Sequence, residues 1–409
     1  MRTGAMLLGM LFLFRHMPVS HAQEVTRTQE FETLRDQKAA TARPGKRHKL
    51  EAAMLWMQER KIQEKLETPG AGFKGWRPRL GGLSTGSGFG FGVLYDRVQT
   101  LGGQMDFSLS AAASPRQYQL YRLGAAMPRL AREHAYLSTT AQHRAMPQED
   151  YFGPGSGSKK SGRTSYLYED TSLELRGGVR PLRWVQTEGA VGWLKINVGP
   201  GTDTRFPSTE RVFTGIVAPG LDRQPEFLKS EFSASIDTRD VAGNPRSGTY
   251  LAATHTIYDD RTLNRYDFRR TEAELHQYLQ FKAGHRVIAF RFRSSFDNAR
   301  SGGQIPFYMQ RPLGGSNDLR GFREFRFRDT NQMVSNLEYR WEAFSGLDMA
   351  LFGDTGKVFS KRKDFNLDHL EHSYGFGFRF NTAKAVVWRI DIARSREGVR
   401  VFTKFDHVF

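Results

Sequence analysis

Apolar and polar residues alternate with a period of two along most of the chain from residue 71 onwards. Within residues 386–393, for example, Trp388 and Ile390 alternate with Arg389 and Asp391. Such alternation predicts β-strands with two different faces. Because the apolar face is rich in aromatic residues and the polar face carries both charge signs, the pattern favours lipid on one side and a wet, charged lumen on the other.

Segments with this alternation define fifteen strands. A single-chain bacterial barrel with both ends in the periplasm has an even number of strands, so we place a sixteenth strand within 71–84. The sequence therefore predicts an all-β fold, a transmembrane antiparallel β-barrel of about 16 strands over residues 71–409. The fifteen segments are 88–97, 104–113, 116–128, 132–143, 163–178, 183–198, 226–238, 247–259, 265–282, 286–299, 331–342, 347–359, 371–381, 385–393 and 398–409.

The lengths of the connections assign the two ends of this barrel. Because each strand crosses the membrane once, successive connections alternate between its two sides. By this count the short connections fall on one side and the long ones on the other. Short periplasmic turns and long outer loops are typical of outer-membrane barrels, so the short side is the periplasmic one. The short connections are 129–131, 179–182, 239–246, 283–285 and 382–384, and the long ones are 144–162, 199–225, 300–330 and 360–370.

The segment before the barrel predicts export and a small periplasmic element. Residues 1–22 have the features of a cleaved signal peptide, with an apolar run and a small-residue cleavage site that ends at Ala22. Residues 23–70 read as a periplasmic linker followed by a helix over 46–67. The predicted location is therefore the bacterial outer membrane. Two roles for the helix stay open: it docks in or plugs the barrel, or it is a spacer.

The amino-acid composition limits the kinds of function that the protein can have. The 409 residues include no cysteine, which excludes disulfides and thiol chemistry, and the mean hydropathy of −0.55 excludes a bundle of membrane-spanning helices. The formal net charge is +17. In an exported chain without a nucleic-acid motif, that charge favours outer-membrane lipid and lipopolysaccharide as partners, and not nucleic acid. No histidine pair has metal-binding spacing on a helix, so we predict no metal and no cofactor.

Catalytic motifs are also missing from the sequence. The glycine-rich segments lack the strand-to-helix context of a G-x-S-x-G nucleophile. The Asp259–Asp260 pair and the Asp368–His369 dyad, both on predicted outer connections, do not match the spacing and neighbours of the aspartate/histidine site of outer-membrane proteases. We therefore predict that the protein is not an enzyme.

The longest loop, 300–330, carries an arginine–glycine–aromatic motif, and the two following strands carry an acidic position and a Phe-x-Asp-x-Gly motif. The three motifs are Leu319-Arg320-Gly321-Phe322, Asn336-Leu337-Glu338-Tyr339 and Phe352-Gly353-Asp354-Thr355-Gly356. Together with a turn at 237–248, they resemble the motifs of the bacterial surface antigen superfamily, the BamA/TamA type of outer-membrane assembly barrel.

The resemblance implies that loop 300–330, here called the lumen loop, folds back into the barrel. It implies that Arg320 meets Asp354 and Glu338 on the inner wall, and that Gly321 lets the loop approach the wall. The predicted lumen-loop site comprises Arg320, Gly321, Phe322, Glu338, Phe352, Asp354 and Gly356. The implied function is to assist insertion or translocation of proteins, or of lipids, at the outer membrane, with unfolded outer-membrane or secreted proteins as cargo.

Two features depart from the family pattern. Family members carry periplasmic POTRA domains before the barrel, and residues 23–70 are too few for one, so we expect a partner to supply POTRA-like domains. The position three before the end, often glycine, is Asp406. The predicted C-terminal strand signal for the assembly machinery is the set of aromatic positions, with the last one in the interfacial girdle: Phe402, Phe405 and Phe409.

Two other functions fit the same fold. The first is a self-contained channel or porin that favours anions, because basic residues would line its lumen and focus the field. The residues predicted to do so are Arg291, Arg293, Arg340, Arg379 and Arg389. The second is a purely structural surface antigen.

Overall fold

Sixteen strands follow one another in a single antiparallel sheet, each paired with its neighbours along the chain. The computed structural model describes residues 75–81, 83–84, 87–282, 285–344, 346–381, 385–404 and 409. In the described part of the chain, the ladders run from β1 through β11 to β14 and on to β18. The strands are Trp76–Gly81 (β1), Gly90–Gln99 (β2), Met105–Ala113 (β3), Gln119–Leu130 (β4), Ala135–Tyr151 (β5), Thr164–Leu182 (β6), Val185–Pro200 (β7), Glu226–Asp237 (β8), Gly248–Asp260 (β9), Phe268–Phe281 (β10), Arg286–Ala299 (β11), Pro312–Leu313 (β12), Phe327–Arg328 (β13), Asn331–Phe344 (β14), Leu347–Phe359 (β15), Glu371–Asn381 (β16), Val386–Ser395 (β17) and Gly398–Lys404 (β18).

Helical structure is minor in these residues. There are single-turn helices at Thr100–Gly103 (α1) and Thr209–Val212 (α2), and 3₁₀ turns at Lys160–Gly162 and Arg362–Asp364. Among the described residues, no helix has both the length and the apolar character needed to cross a bilayer.

The two faces of the sheet differ in the way the alternation predicts. On β15, Leu351 is 53% exposed on the outer face, whereas Asp354 is 2% exposed on the inner face. On β17, Trp388 is outward, and Arg389 and Asp391 are buried inside. An apolar outer surface around a charged interior is the arrangement of a protein with lipid outside and polar groups within.

Strand bounds agree with the sequence to within a few residues, with one larger difference. The predicted connection 144–162 is shorter, because β5 continues to Tyr151. A register shift between Met146 and Glu149 interrupts the alternation there, and the last residues of β5 are buried beneath outer loops. Period-two patterns do not reveal a strand that continues through such an irregularity.

The outer loops pack into an aromatic cap over the outer ends of β5 to β10. Phe307 of the lumen loop is fully buried there, with its ring centroid 4.7 Å from that of Tyr151 and 5.0 Å from that of Tyr166. Ala218 of the loop 201–225 joins the same cluster. Loops that look polar in sequence therefore contribute a hydrophobic core outside the strands.

Some predictions concern residues outside the described part of the chain. These are the signal peptide 1–22, the linker and helix within 23–70, residues 283–284 of the turn 283–285, the turn 382–384 and Phe405.

Candidate functional site: an arginine–carboxylate network in the lumen

Arg320 of the lumen loop lies on the inner wall of the sheet and is fully buried. Its Nε donates to Asp354 Oδ2 at 3.0 Å and its Nη2 donates to Asp354 Oδ1 at 2.6 Å. The backbone N–H of Arg320 donates to the same carboxylate at 3.1 Å. Its Nη1 donates to Glu338 on β14. A planar fork bonded to a carboxylate on both arms is the geometry that distinguishes arginine from lysine.

The contacts continue as a chain of alternating charges across four strands. Glu338 also accepts from Arg379 Nη2 of β16 at 2.9 Å. Arg379 Nη1 lies 2.7 Å from Asp391 Oδ1 of β17, and Asp391 accepts from Arg389 Nη1 at 2.6 Å. Each of these groups is at most 2% exposed. Buried charges are stable only when paired and hydrogen-bonded, and here each of these charges has an opposite charge beside it.

The network returns to the lumen loop at its other end. Arg389 donates to the Ser316 carbonyl at 3.0 Å and to Asn317 Oδ1 at 2.6 Å. On β11, Arg291 and Arg293 both donate to Asp318 Oδ1 at 2.9 Å. The segment 316–320 is therefore held by arginines from the wall as well as by its own arginine.

Small residues allow the loop to lie against the wall. A Cβ on Gly321 would lie 2.6 Å from Ser395 Cβ and 2.7 Å from Ser373 Cβ, so only glycine fits without a shift of its neighbours. Ser395 Oγ donates to the Gly321 carbonyl at 2.7 Å. The guanidinium carbon of Arg320 lies 3.5 Å from the ring centroid of Phe352, a cation–π contact.

Apolar residues of the loop form a second attachment. Leu313, Leu319, Phe322 and Phe327 are fully buried and pack with Val334 and Val358 of the wall. Gly356 of β15 pairs with Val334 of β14, and a Cβ at Gly356 would come within 2.6 Å of the Met333 carbonyl oxygen. The charged contacts orient the loop, and the apolar ones exclude water around it.

The lumen loop also reaches the opposite part of the sheet. Arg323 Nε donates to Asp150 on β5, which also accepts from Arg163 Nε at 2.9 Å. Arg328 donates to the Tyr166 hydroxyl on β6 at 3.1 Å. The loop therefore extends across the lumen from β14–β17 to β5–β6.

A third group of contacts joins the lumen loop to two other outer connections. Arg326 donates to Glu397 at 2.7 Å and to the Ser158 carbonyl at 2.6 Å, which connects the turns after β17 and β5. Burial raises the pKa of the neighbouring Glu324 carboxyl, and the Lys404 ammonium opposes that rise.

Comparison of this sequence with known protein families shows the family to which the chain belongs. The Omp85 superfamily domain matches residues 94–400, which include the lumen loop and most of the strands. The chain belongs to the Omp85 superfamily. It is an outer-membrane barrel, as the strand pattern predicted.

Solved structures of Omp85 barrels share this fold. The crystal structure of BamA from Haemophilus ducreyi lacking POTRA domains 1–3 is 12% identical over 87% of this chain and 77% of that chain, with a TM-score of 0.58. CdiB from Escherichia coli is 11% identical over 80% of this chain, with a TM-score of 0.54. The match spans 61% of the CdiB chain, less than two thirds of its length. No curated protein shows a significant sequence match. At these identities the likeness shows the fold, and it confirms the predicted barrel.

The basic residues predicted to line the lumen of this Omp85 barrel lie on its inner wall, but each of them is paired with a carboxylate. Arg291, Arg293, Arg379 and Arg389 each contact a carboxylate, as described above. Arg340 is also buried, and its Nε donates to Glu338 Oε2 at 2.7 Å. The sequence shows which face these residues occupy, but not that carboxylates neutralise them.

The C-terminal residue, Phe409, lies where the sequence did not place it. Phe409 is buried inside, against Tyr278, Val287 and Ala289, and the Tyr278 hydroxyl donates to its carbonyl at 2.7 Å. The expectation of a girdle position is wrong for this residue. Phe402 pairs with Asp391 across the ladder and so shares its inner face, whereas Val399 and Val401 are the outward residues of β18. An assembly-signal role for Phe402, Phe405 and Phe409 stays a prediction.

Several network members were not predicted as site residues. Asp391 is two positions from Arg389 on the same face, so the period-two pattern could have found it. Asp318 and Asp150 carry no such signal, because one lies in an irregular loop and the other at the irregular end of β5. Within the described residues, no group of His, Asp or Glu is arranged to hold a metal ion.

Proposed function

We propose that this Omp85 barrel assists insertion or translocation of proteins at the outer membrane, with the lumen loop anchored by Arg320. The observation that carries the proposal is the chain of ion pairs from Asp354 through Arg320 to Asp391, which holds the loop inside the barrel. A lumen occupied by a structured loop suits a barrel that acts on other chains through its wall or through loop movement.

The proposal includes partners and a division of the chain. Residues 1–22 would be the signal peptide, 23–70 a periplasmic linker and helix, and 71–409 the barrel. A periplasmic partner with POTRA-like domains would deliver unfolded outer-membrane or secreted proteins. Family relatives act as assembly or transport barrels, which supports a role without catalysis.

Depletion of the protein in its native host tests this function. We expect the abundance of a subset of other outer-membrane barrels, or of secreted proteins, to fall, as measured by quantitative proteomics of the outer membrane and medium. Expression of the wild-type chain should restore them. Unchanged abundance of every other outer-membrane and secreted protein after full depletion would refute the proposal.

A conductance measurement distinguishes this function from the anion channel. We expect the purified protein in a planar bilayer to show no stable anion-selective conductance, because the lumen loop crosses the lumen and its arginines are paired. The double variant Arg320→Ala and Arg323→Ala, which removes one ion-paired loop contact on each side of the lumen, should conduct more often. A stable anion-selective conductance of the wild-type protein would support the channel instead.

A further inference from the structure

The outer, lipid-facing surface of the sheet has an apolar groove over β11 and β14 to β18. The groove measures about 700 Å³, within the range of roughly 300–1,000 Å³ that small-molecule sites occupy. Its centre is Gly353, where an added Cβ would meet no heavy atom within 4 Å. Gly353 pairs with Leu337 on one side and with Tyr374 on the other. These neighbours are 52% and 62% exposed, so they project beside the glycine and form the walls.

A cation lies at one end of the groove. Arg394 of β17 pairs with Tyr374 and lies two residues before the turn 396–397, at the outer end of the strand. Its exposed side chain makes no hydrogen bond or ion pair with any residue that the structure describes. Arg394 also lines the adjoining polar recess, together with His372 and with Arg396, which is bound to Glu371 at 2.6 and 2.7 Å.

We propose that this groove binds a phosphorylated glycolipid of the outer leaflet, of the lipid A class. One acyl chain would lie over Gly353 between Leu337 and Tyr374, and a phosphate would accept hydrogen bonds from Arg394. A guanidinium is suited to bind a phosphate with two parallel hydrogen bonds. An apolar groove that ends at a cation matches an amphipathic ligand. The acyl chain of such a ligand would fill the groove, and its anionic headgroup would meet Arg394. The inference does not depend on the proposed function.

Native mass spectrometry of the purified full chain in detergent micelles tests this inference. The probes are bis-phosphorylated lipid A, the same lipid after enzymatic removal of both phosphates, and phosphatidylethanolamine. We expect one lipid A molecule to remain bound at concentrations where the other two probes dissociate. Arg394→Gln should weaken lipid A binding about tenfold, equivalent to about 1.4 kcal/mol, because it removes a charge-assisted hydrogen bond. Gly353→Leu should weaken all acyl-chain binding at the groove, because it fills the centre.

Two matched variants control for general effects on the lipid-facing surface. Arg269→Gln changes an outward arginine of β10, which lies near the carboxylates Asp259 and Asp267. Gly189→Leu changes an outward glycine of β7, where an added Cβ would meet only the Glu231 carbonyl oxygen, at 4.0 Å. Both controls should bind lipid A as the wild type does. Equal binding of lipid A and its dephosphorylated form, or wild-type affinity in Arg394→Gln and Gly353→Leu, would overturn the proposal. Unchanged heat-modifiability on gels shows that each variant is folded.

Discussion

Replacing Arg320 with alanine is expected to destabilise the folded barrel by about 3–5 kcal/mol, the usual cost of removing one partner from a buried ion pair. The substitution leaves Asp354 and Glu338 buried, each without its main hydrogen-bond donor from the loop. Urea unfolding in detergent micelles measures the loss of stability. Limited proteolysis should show faster cleavage within the lumen loop, since its anchor is lost.

Two matched variants make this test specific. Arg300→Ala removes an exposed arginine of the same loop that lies 3.4 Å from Asp267, and exposed pairs contribute only about 0–1 kcal/mol. Arg320→Lys keeps the charge but cannot form the two-armed contact, so its stability should lie between those of the wild type and Arg320→Ala. If Arg320→Ala and Arg300→Ala behave alike in urea and in proteolysis, the anchoring role of Arg320 is wrong.

Replacing Gly321 with valine is expected to displace the lumen loop from the wall. Its Cβ would lie within 2.7 Å of two serine Cβ atoms, on β16 and β17, and the nearest backbone atom is 2.9 Å away. Overpacking of a well-packed interior costs about 1–3 kcal/mol or more, and here the clash opposes the Arg320 contacts directly. We expect reduced urea stability, faster cleavage of the lumen loop, and loss of the depletion rescue described above.

Gly157→Val is the control for the Gly321 variant. Gly157 is also in an outer loop, and a Cβ there would meet no heavy atom within 4 Å. Surface substitutions of this kind change stability by about 0.5 kcal/mol or less. Wild-type stability and cleavage of Gly321→Val would show that the close approach of the loop to the wall does not matter.

Much of the site follows from the alternation of side chains. Since successive residues of a strand point to opposite faces, Asp354 must share the inner face with Phe352, and Arg389 with Asp391. The arginine–glycine motif marks the loop that meets this wall. Alternation along a strand does not show which residues meet across the lumen. Asp150 on β5 and Arg323 in the lumen loop are 173 positions apart in sequence, yet they form a hydrogen bond.

The sequence by itself determined the inner and outer faces of the sheet and fifteen of its sixteen strands, and the sixteenth followed from the even strand number of such barrels. The side of the membrane to which each connection belongs stays a prediction. These inferences depend on local periodicity and on connection length, which are properties of neighbouring residues. The tertiary structure alone decided that the basic lumen residues are neutralised, that the outer loops form an aromatic cap, and that Phe409 lies inside. Those outcomes depend on which distant segments come together when the sheet curls, and burial then requires each charge to find an opposite partner.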